Sequence, residues 1–486
     1  MPGIGFTQIP ANLRLPGAYI EFDASLAGLA QASFKRLVIG QRLASGTVAA
    51  ATPTRVTSAA QAEEYFGRGS MLAAMLGHVM AIDPWTETWA IALDDNPAGA
   101  AATGSIALTG PATASGTLNL YIAGRRVQAG VASGDAAATI ATNLAAAINA
   151  DTTLPVTASA TTGTVTLTAR HAGEAGNGID IRLNYYGEAT PAGVGATITA
   201  MSGGSGNPDI SAAIAAMGSE WYRWIAMPYT DTANLVALET ELDDRYSAMR
   251  QIGGRAFAAR GDTHASLLTW GNGRNSPHVS VLGLQGSPTP DYEAAAIYCA
   301  VASQSLAIDP ARPLQTLELT GMLAPAVADR WSDTERNLAL FDGISTFKVA
   351  ADGTCRIEAA ITQYQVNQAG VDDTAYLYVN TPETLELHRY NVRSEIGLRY
   401  PRHKLAGDAQ PVPPGAPIAR PKDIKATLLA VYQREMDQGL MEDFEGYKST
   451  LYVEIDQNNP NRVNVVDHPN LVNQLRVFAN LVQFRV

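Results

Sequence analysis

The chain has 486 residues, which at roughly 150 per domain predicts about three domains. Lys and Arg total 34 and Asp and Glu total 46, a formal charge of −12, so a protein that coats nucleic acid is excluded, because that partner demands a basic face. Only 16% of residues are charged and 46% are hydrophobic, a globular composition rather than a disordered one. The two cysteines, Cys299 and Cys355, stand far apart and build no disulfide framework, which fits a reducing compartment. The first residues lack the charged-then-apolar order of a signal peptide. No apolar run approaches the roughly 18 residues a membrane helix needs.

Pro2, Pro10 and Pro16 break any long element near the start. Ala18, Tyr19, Ile20, Glu21 and Phe22 then alternate as a short strand, so residues 1–25 read as an extended arm. A first part of an α/β core follows over 26–100. Residues 36–40 and 89–93 are buried-strand runs. Between them, Ser58 with Gln61 has capping-box form, and Ser70 caps a second helix carrying Met71, Leu72, Met75, Leu76 and Val79.

The composition shifts over 101–200, which hold 25 Ala, 17 Thr and 13 Gly but only four basic and five acidic residues. Strands are predicted at 118–122, 156–158, 165–169 and 196–201, with an alanine-rich helix over 136–150. This reads as a small α+β module, 101–203, inserted into the core, since a structureless loop of that length is improbable. The core resumes over 204–380. Strands at 221–228, 255–259 and 278–284 alternate with helices at 234–249, 264–270 and 291–307. That alternation means βαβ units around a mainly parallel sheet.

A C-terminal domain is expected over 381–460. It opens on a helix with Thr381 as N-cap and Pro382 at the first helical position, carrying Arg389, Arg393 and Arg399. A proline-rich link at 410–417 precedes a helix over 424–438. The remainder, 461–486, reads as a strand arm: strand at 462–466, a break at His468 and Pro469, then a long strand over 472–486. In it Leu475, Val477, Ala479 and Leu481 face one way, and Phe478, Val482, Phe484 and Val486 the other. A strand apolar on both faces wants cover on both faces.

Catalytic constellations are missing from the sequence. It contains no GxxxxGK[ST], HExxH, CxxC or GxSxG. The seven histidines lack metal-ligand spacing and read as solvated or satisfied in a core. Gly203, Gly204, Ser205 and Gly206 could cradle a phosphate, but without fingerprint spacing they read as a joint. His278 and Ser280 share a face without a third orienting group. Glu435, Asp437, Glu442, Asp443 and Glu445 lack the spacing of a calcium loop and read as a solvated face or as one matched to a basic partner. No catalytic residue, cofactor or metal is predicted. The free strand edges become the main clue, because unpaired N–H and C=O groups template pairing with another chain.

The chain resembles the tail sheath proteins of contractile-tailed bacteriophages, those of Mu-like phages above all. The resemblance runs over the whole length. Its motifs are Leu15-Pro16-Gly17-Ala18-Tyr19, Val56 to Ala62 with Gly69-Ser70-Met71, Gly116-Thr117-Leu118 to Ala123-Gly124-Arg125, Glu174-Ala175-Gly176-Asn177, Gly204 to Pro208, and residues 464–484. The resemblance implies a virion structural subunit, assembled in the host cytoplasm, with a subtilisin-like domain that carries no catalytic triad. It implies six-fold rings of identical copies stacked around a tail tube, with baseplate and tail terminator proteins as further partners, and neither nucleic acid nor membrane insertion. It also implies contraction that drives the tube through the host envelope, with energy stored in assembly. The strands expected to pass between subunits carry Ala18, Tyr19, Ile20, Phe22, Val463, Val465, Leu475, Val477, Phe478, Leu481, Val482 and Phe484. The alternatives are an α/β hydrolase-type enzyme with a site near Gly203, and the sheath of a phage-derived bacterial injection device.

Overall fold

A computed structural model describes residues 34–413 and 415–485. The expected strand at residues 18–22 lies outside them. Three separate hydrophobic cores divide the chain.

The first core belongs to an eight-stranded sheet. Its order is Thr54–Val56, Thr88–Leu93, Lys35–Gln41, Tyr222–Ala226, Arg255–Gly261, Val279–Leu284, Ile344–Val349, Cys355–Ala359. The six strands from Thr88–Leu93 to Ile344–Val349 run parallel, and the two edge strands run antiparallel to their neighbours. The parallel strands are apolar along their length because helices cover both faces. Gly40 permits a close approach of strand and helix: a Cβ there would lie 3.3 Å from the Leu72 backbone of helix Met71–Ile82. Ser58 and Ser70 start the helices Ala59–Phe66 and Met71–Ile82 by accepting from the Gln61 and Ala73 amides. Helix Asp291–Ile308 is apolar all round and is buried on nearly every side. At the amino end of the sheet, buried Arg36 donates to Asp83 and to Ser303 Oγ (2.8 Å).

The second core fills the module. One sheet pairs Gly195–Ser202, Ala101–Thr109, Thr164–Ala172 and Val156–Thr161; the other pairs Arg125–Val131, Gly116–Ile122 and Ile181–Leu183. Helix Ala137–Ala150 closes them with Ile140, Leu144 and Ile148, the three apolar positions at helical spacing. Strands Ala101–Thr109 and Arg125–Val131 escaped the sequence reading, since alanine, glycine and arginine dilute their alternation. The module leaves and re-enters the core at adjacent points, with Ala100 N–H donating to Ser205 O (2.9 Å) and Ser205 N–H to Ala100 O (3.1 Å). The glycine-rich stretch is this joint. Gly204 N–H donates to Asn177 Oδ1 (2.8 Å), and a Cβ on Gly204 would lie 2.4 Å from Gly173 O. Its amides are spent on the chain, and the helix after it, Ser211–Met217, has only seven residues.

The third core joins helices Asn380–Arg399 and Pro421–Asp437 to the short helix Phe444–Thr450 and the antiparallel hairpin Tyr452–Ile455 with Val463–Val466. The long helix corrects the expected start. It begins at Asn380 with Val379 as N-cap, so Thr381 and Pro382 lie inside its first turn. Proline is tolerated there because first-turn amides have no intrahelical acceptor to lose.

Candidate assembly site: the C-terminal hairpin and arm

The site is assembled on the two helices of the third core. Tyr432 and Tyr447 stack with ring centroids 3.6 Å apart and planes 4° from parallel. Beside them His388 bridges two carboxylates, through Nδ1 to Glu435 Oε2 (2.6 Å) and Nε2 to Asp467 Oδ2 (3.0 Å). Burial by itself would lower the imidazole. Hydrogen bonds to Asp467 and Glu435 outweigh it and raise the pKa to about 9, so His388 is an imidazolium at neutral pH with both N–H groups donating. Asp467 is held below the usual carboxylate range against its own burial, chiefly by His388. Burial and the adjacent Asp467 push the Tyr447 phenol far upward.

For Glu435 the structure decides between the two sequence readings, in favour of a basic partner. Glu435 is fully buried, a partner of His388 rather than part of a solvated acidic face. Four other carboxylate–histidine contacts were equally invisible in sequence spacing: Asp467–His388, Asp95–His171, Glu293–His78 and Asp243–His278. Their partners lie tens to hundreds of residues apart.

Asp467 ends the hairpin and begins the arm. Val463 and Val465 pair with Ile455 and Val453 inside the chain. The hairpin is a two-stranded sheet, so among the described residues each of its strands has one unpaired edge. Residues 470–476 lie on their own subunit. Glu442 N–H donates to Asn470 O (2.9 Å), Val472 N–H to Leu440 O (3.1 Å) and Gln474 Nε2 to Ala311 O (2.7 Å). Beyond Arg476 no hydrogen bond is made among the described residues. The expected strand 472–486 forms no ladder among the described residues, because a strand needs a second strand and none of the described strands pairs with it. Leu475, Val477, Phe478, Leu481, Val482 and Phe484 are each at least 70% exposed. Exposed apolar surface of that extent marks a contact region.

Two arginines of the long helix bond to the end of helix Thr232–Tyr246 and the segment after it, although Arg393 and Arg399 are exposed. Arg389 donates to Tyr246 O (2.6 Å), and Arg393 donates to Gln251 O (3.1 Å) and lies over Trp221.

The crevice an α/β enzyme would use, at the carboxyl ends of the parallel strands, is closed by the module. Asp95, just after strand Thr88–Leu93, accepts from Gln41 Nε2 (2.8 Å) and the Ala172 amide (2.9 Å), and pairs with His171 Nδ1 (2.8 Å). Glu293 is held by Arg125 Nη2 (3.0 Å) and His78 Nε2 (2.8 Å). Ser280 Oγ donates to Ile361 O (2.6 Å) and contacts Tyr298 and Ser345 hydroxyls, while His278 pairs with Asp243. The two residues are not joined. Among the described residues no group of His, Cys, Asp and Glu could hold a metal, and no helix is long and apolar enough to cross a membrane.

Three family models match the chain in sequence. They are the phage tail sheath protein beta-sandwich domain over residues 97–205, the phage tail sheath protein central domain over 203–363, and the phage tail sheath C-terminal domain over 371–485. Together they define the class, a structural sheath subunit rather than an enzyme. The Mu-like prophage FluMu tail sheath protein of Haemophilus influenzae is 46% identical over 484 residues, 99% of each chain. The chain belongs to the tail sheath family of Mu-like phages, and such a subunit is a component of the virion. The fold is similar to that of a sheath tail protein from Listeria innocua, with a TM-score of 0.50 and 11% identity over 93% of this chain and 94% of that one. The sheath tail protein of Desulfitobacterium hafniense gives 0.49 and 12% over 94% and 97%.

Proposed function

We propose that this subunit polymerises with copies of itself as stacked rings around a tail tube, its ends exchanged between neighbours, and contracts to drive the tube through a host envelope. The observation that carries the reading is the apolar arm over 477–485, uncovered among the described residues beside a hairpin whose two edges are unpaired among them. In the polymer, Val477, Phe478, Leu481, Val482 and Phe484 lie in a strand added to a neighbour's sheet, and Leu475 stands exposed on the root just before it. Ala18, Tyr19, Ile20 and Phe22 do the same from the other end. Val463 and Val465 belong to the receiving hairpin. Burying the five large side chains from Val477 onward contributes about 7–15 kcal/mol at 1.5–3 each. Ordering nine residues costs about 9–18 kcal/mol. Side-chain burial alone thus falls near balance, and the main-chain ladder decides. That is a reason for donating strands rather than patches.

The central parallel sheet, helix-covered on both faces, supports a subtilisin-like reading of that domain, and its closed crevice supports a purely structural role for it. The module faces outward: it has its own core, and its two chain connections to the rest lie side by side at Ala100 and Ser205. The long helix, with Arg393 and Arg399 exposed, and helix Pro421–Asp437 are the two candidates for contact with the tube. Baseplate and terminator proteins are the partners at the two ends of the polymer. No nucleotide is needed, because contraction runs downhill between two packings of the same interfaces. The prophage tail name of the 46% identical relative favours a phage tail over an injection device.

Electron microscopy of the purified chain tests this reading. Tubes or rings are expected from the full chain. Removing residues 477–486 is expected to abolish them while leaving the far-ultraviolet circular dichroism unchanged. Normal polymerisation of the truncated chain would overturn the arm exchange.

A further inference from the structure

The C-terminal arm is not uniform. Residues 470–476 are pinned to their own subunit, and none of residues 477–485 makes a hydrogen bond among the described residues. Arg476 stands at the change. Its guanidinium lies over the Tyr378 ring, 4.0 Å from the centroid. Its Nη2 donates to Asn380 Oδ1 (3.1 Å), and its Nε donates to Gln474 Oε1 (2.9 Å). Asn380 is buried and is itself fixed, its amide donating to Pro310 O and Arg312 O (2.8 Å each). The arm is thus tied through one side chain to the first turn of the long helix and to the loop after helix Asp291–Ile308.

The other ties on the root include the hydrogen bonds at Asn470, Val472 and Gln474 and one from Gln315 Nε2 to Leu475 O (3.3 Å). An open cleft of about 1040 Å³ and a second of about 550 Å³ are both lined by Tyr378, Arg476 and Val477. Space rather than packed side chains flanks the root, so polar pins fix its position. Arg476 supplies what the place requires: a flat cation that stacks on an aromatic face and directs two donors sideways. Lysine has the charge without the plane.

We propose that Arg476 is the positioning residue that sets where the arm leaves its subunit, dividing a fixed root, 470–476, from the strand available for exchange, which begins at Val477. This rests on the reading that 477–485 is the donated strand. Without the pin the root would peel away. The free strand would gain six or seven residues, about 20 Å of reach at 3.3 Å per residue. Such slack would uncouple the separation of neighbouring subunits from the arm that links them.

Amide hydrogen exchange on the full-length chain before assembly tests the boundary. In the native chain the Val472 and Glu442 amides are expected to be protected, and residues 477–485 to exchange at the unprotected rate. Arg476→Ala is expected to reduce protection at Val472 and Glu442 at least tenfold. Arg476→Lys should restore only part of it, and the hairpin Tyr452–Ile455 with Val463–Val466 should keep its protection in both variants. A general loss of stability would instead lower protection in the hairpin and the central sheet together. Retained protection at Val472 in Arg476→Ala, loss spread over the whole domain, or protection of 477–485 in the native chain would each overturn the proposal. The readout precedes polymerisation, so failure of arm exchange and failure of this boundary are told apart.

Discussion

Helix Asp291–Ile308 and the arm over 477–485 are both apolar on every face, yet they meet opposite fates. The helix lies between the central sheet and helix Met71–Ile82, and thirteen of its residues are buried. The arm has comparable side chains and no cover among the described residues. Apolar pattern therefore states a demand for cover but not its source. For the helix the source is the same chain. For the arm, in the reading proposed above, it is another copy.

Predictions that would break or sharpen this contrast run from the buried side outward. Arg36→Met leaves the Asp83 carboxylate buried without its cation, and should cost about 3–5 kcal/mol of unfolding free energy, measured by denaturant titration. A loss below about 1 kcal/mol would show that Asp83 reaches water. Next comes Ser70→Ala, which removes the cap from helix Met71–Ile82 and should cost about 0.5–2 kcal/mol in the same titration.

The contact between His388 and its two carboxylates responds to pH. The folded pKa of about 9 stands above the 6.5 of a free imidazole. Its contribution to stability is therefore complete below pH 6.5 and is lost as pH rises through about 9. The groups facing it are Glu435, Asp467 and Tyr447, and burial together with Asp467 keeps the Tyr447 phenol protonated through that range. Hydrogen exchange at residues 463–472 should accelerate between pH 8 and 10 beyond the intrinsic base-catalysed rise, and His388→Gln should remove the excess. An unchanged excess in His388→Gln would assign the effect to another group.

The smallest expected change is on the arm. Phe478→Asp should alter unfolding of the unassembled chain by less than about 0.5 kcal/mol, as for an exposed position, while preventing tube formation seen by electron microscopy. A large loss of stability in the unassembled chain would show that Phe478 is covered within its own subunit, and the contrast with the buried helix would vanish.

Much of the architecture was legible locally. Serine caps at Ser58 and Ser70, helical spacing of Ile140, Leu144 and Ile148, and apolar runs at 36–40, 89–93 and 278–284 each state their element within a few residues. The arm was legible too, as a stretch whose two apolar faces no local partner could cover. What only tertiary structure decided was pairing at long range. The contacts of Glu435 with His388, Asp95 with His171 and Arg476 with Asn380 join residues 47 to 96 positions apart, and no periodicity encodes them. Periodicity reports which face of an element avoids water, because that depends on near neighbours along the chain. Which charge meets which, and where a tail ceases to be held, depends on how whole elements are placed in space.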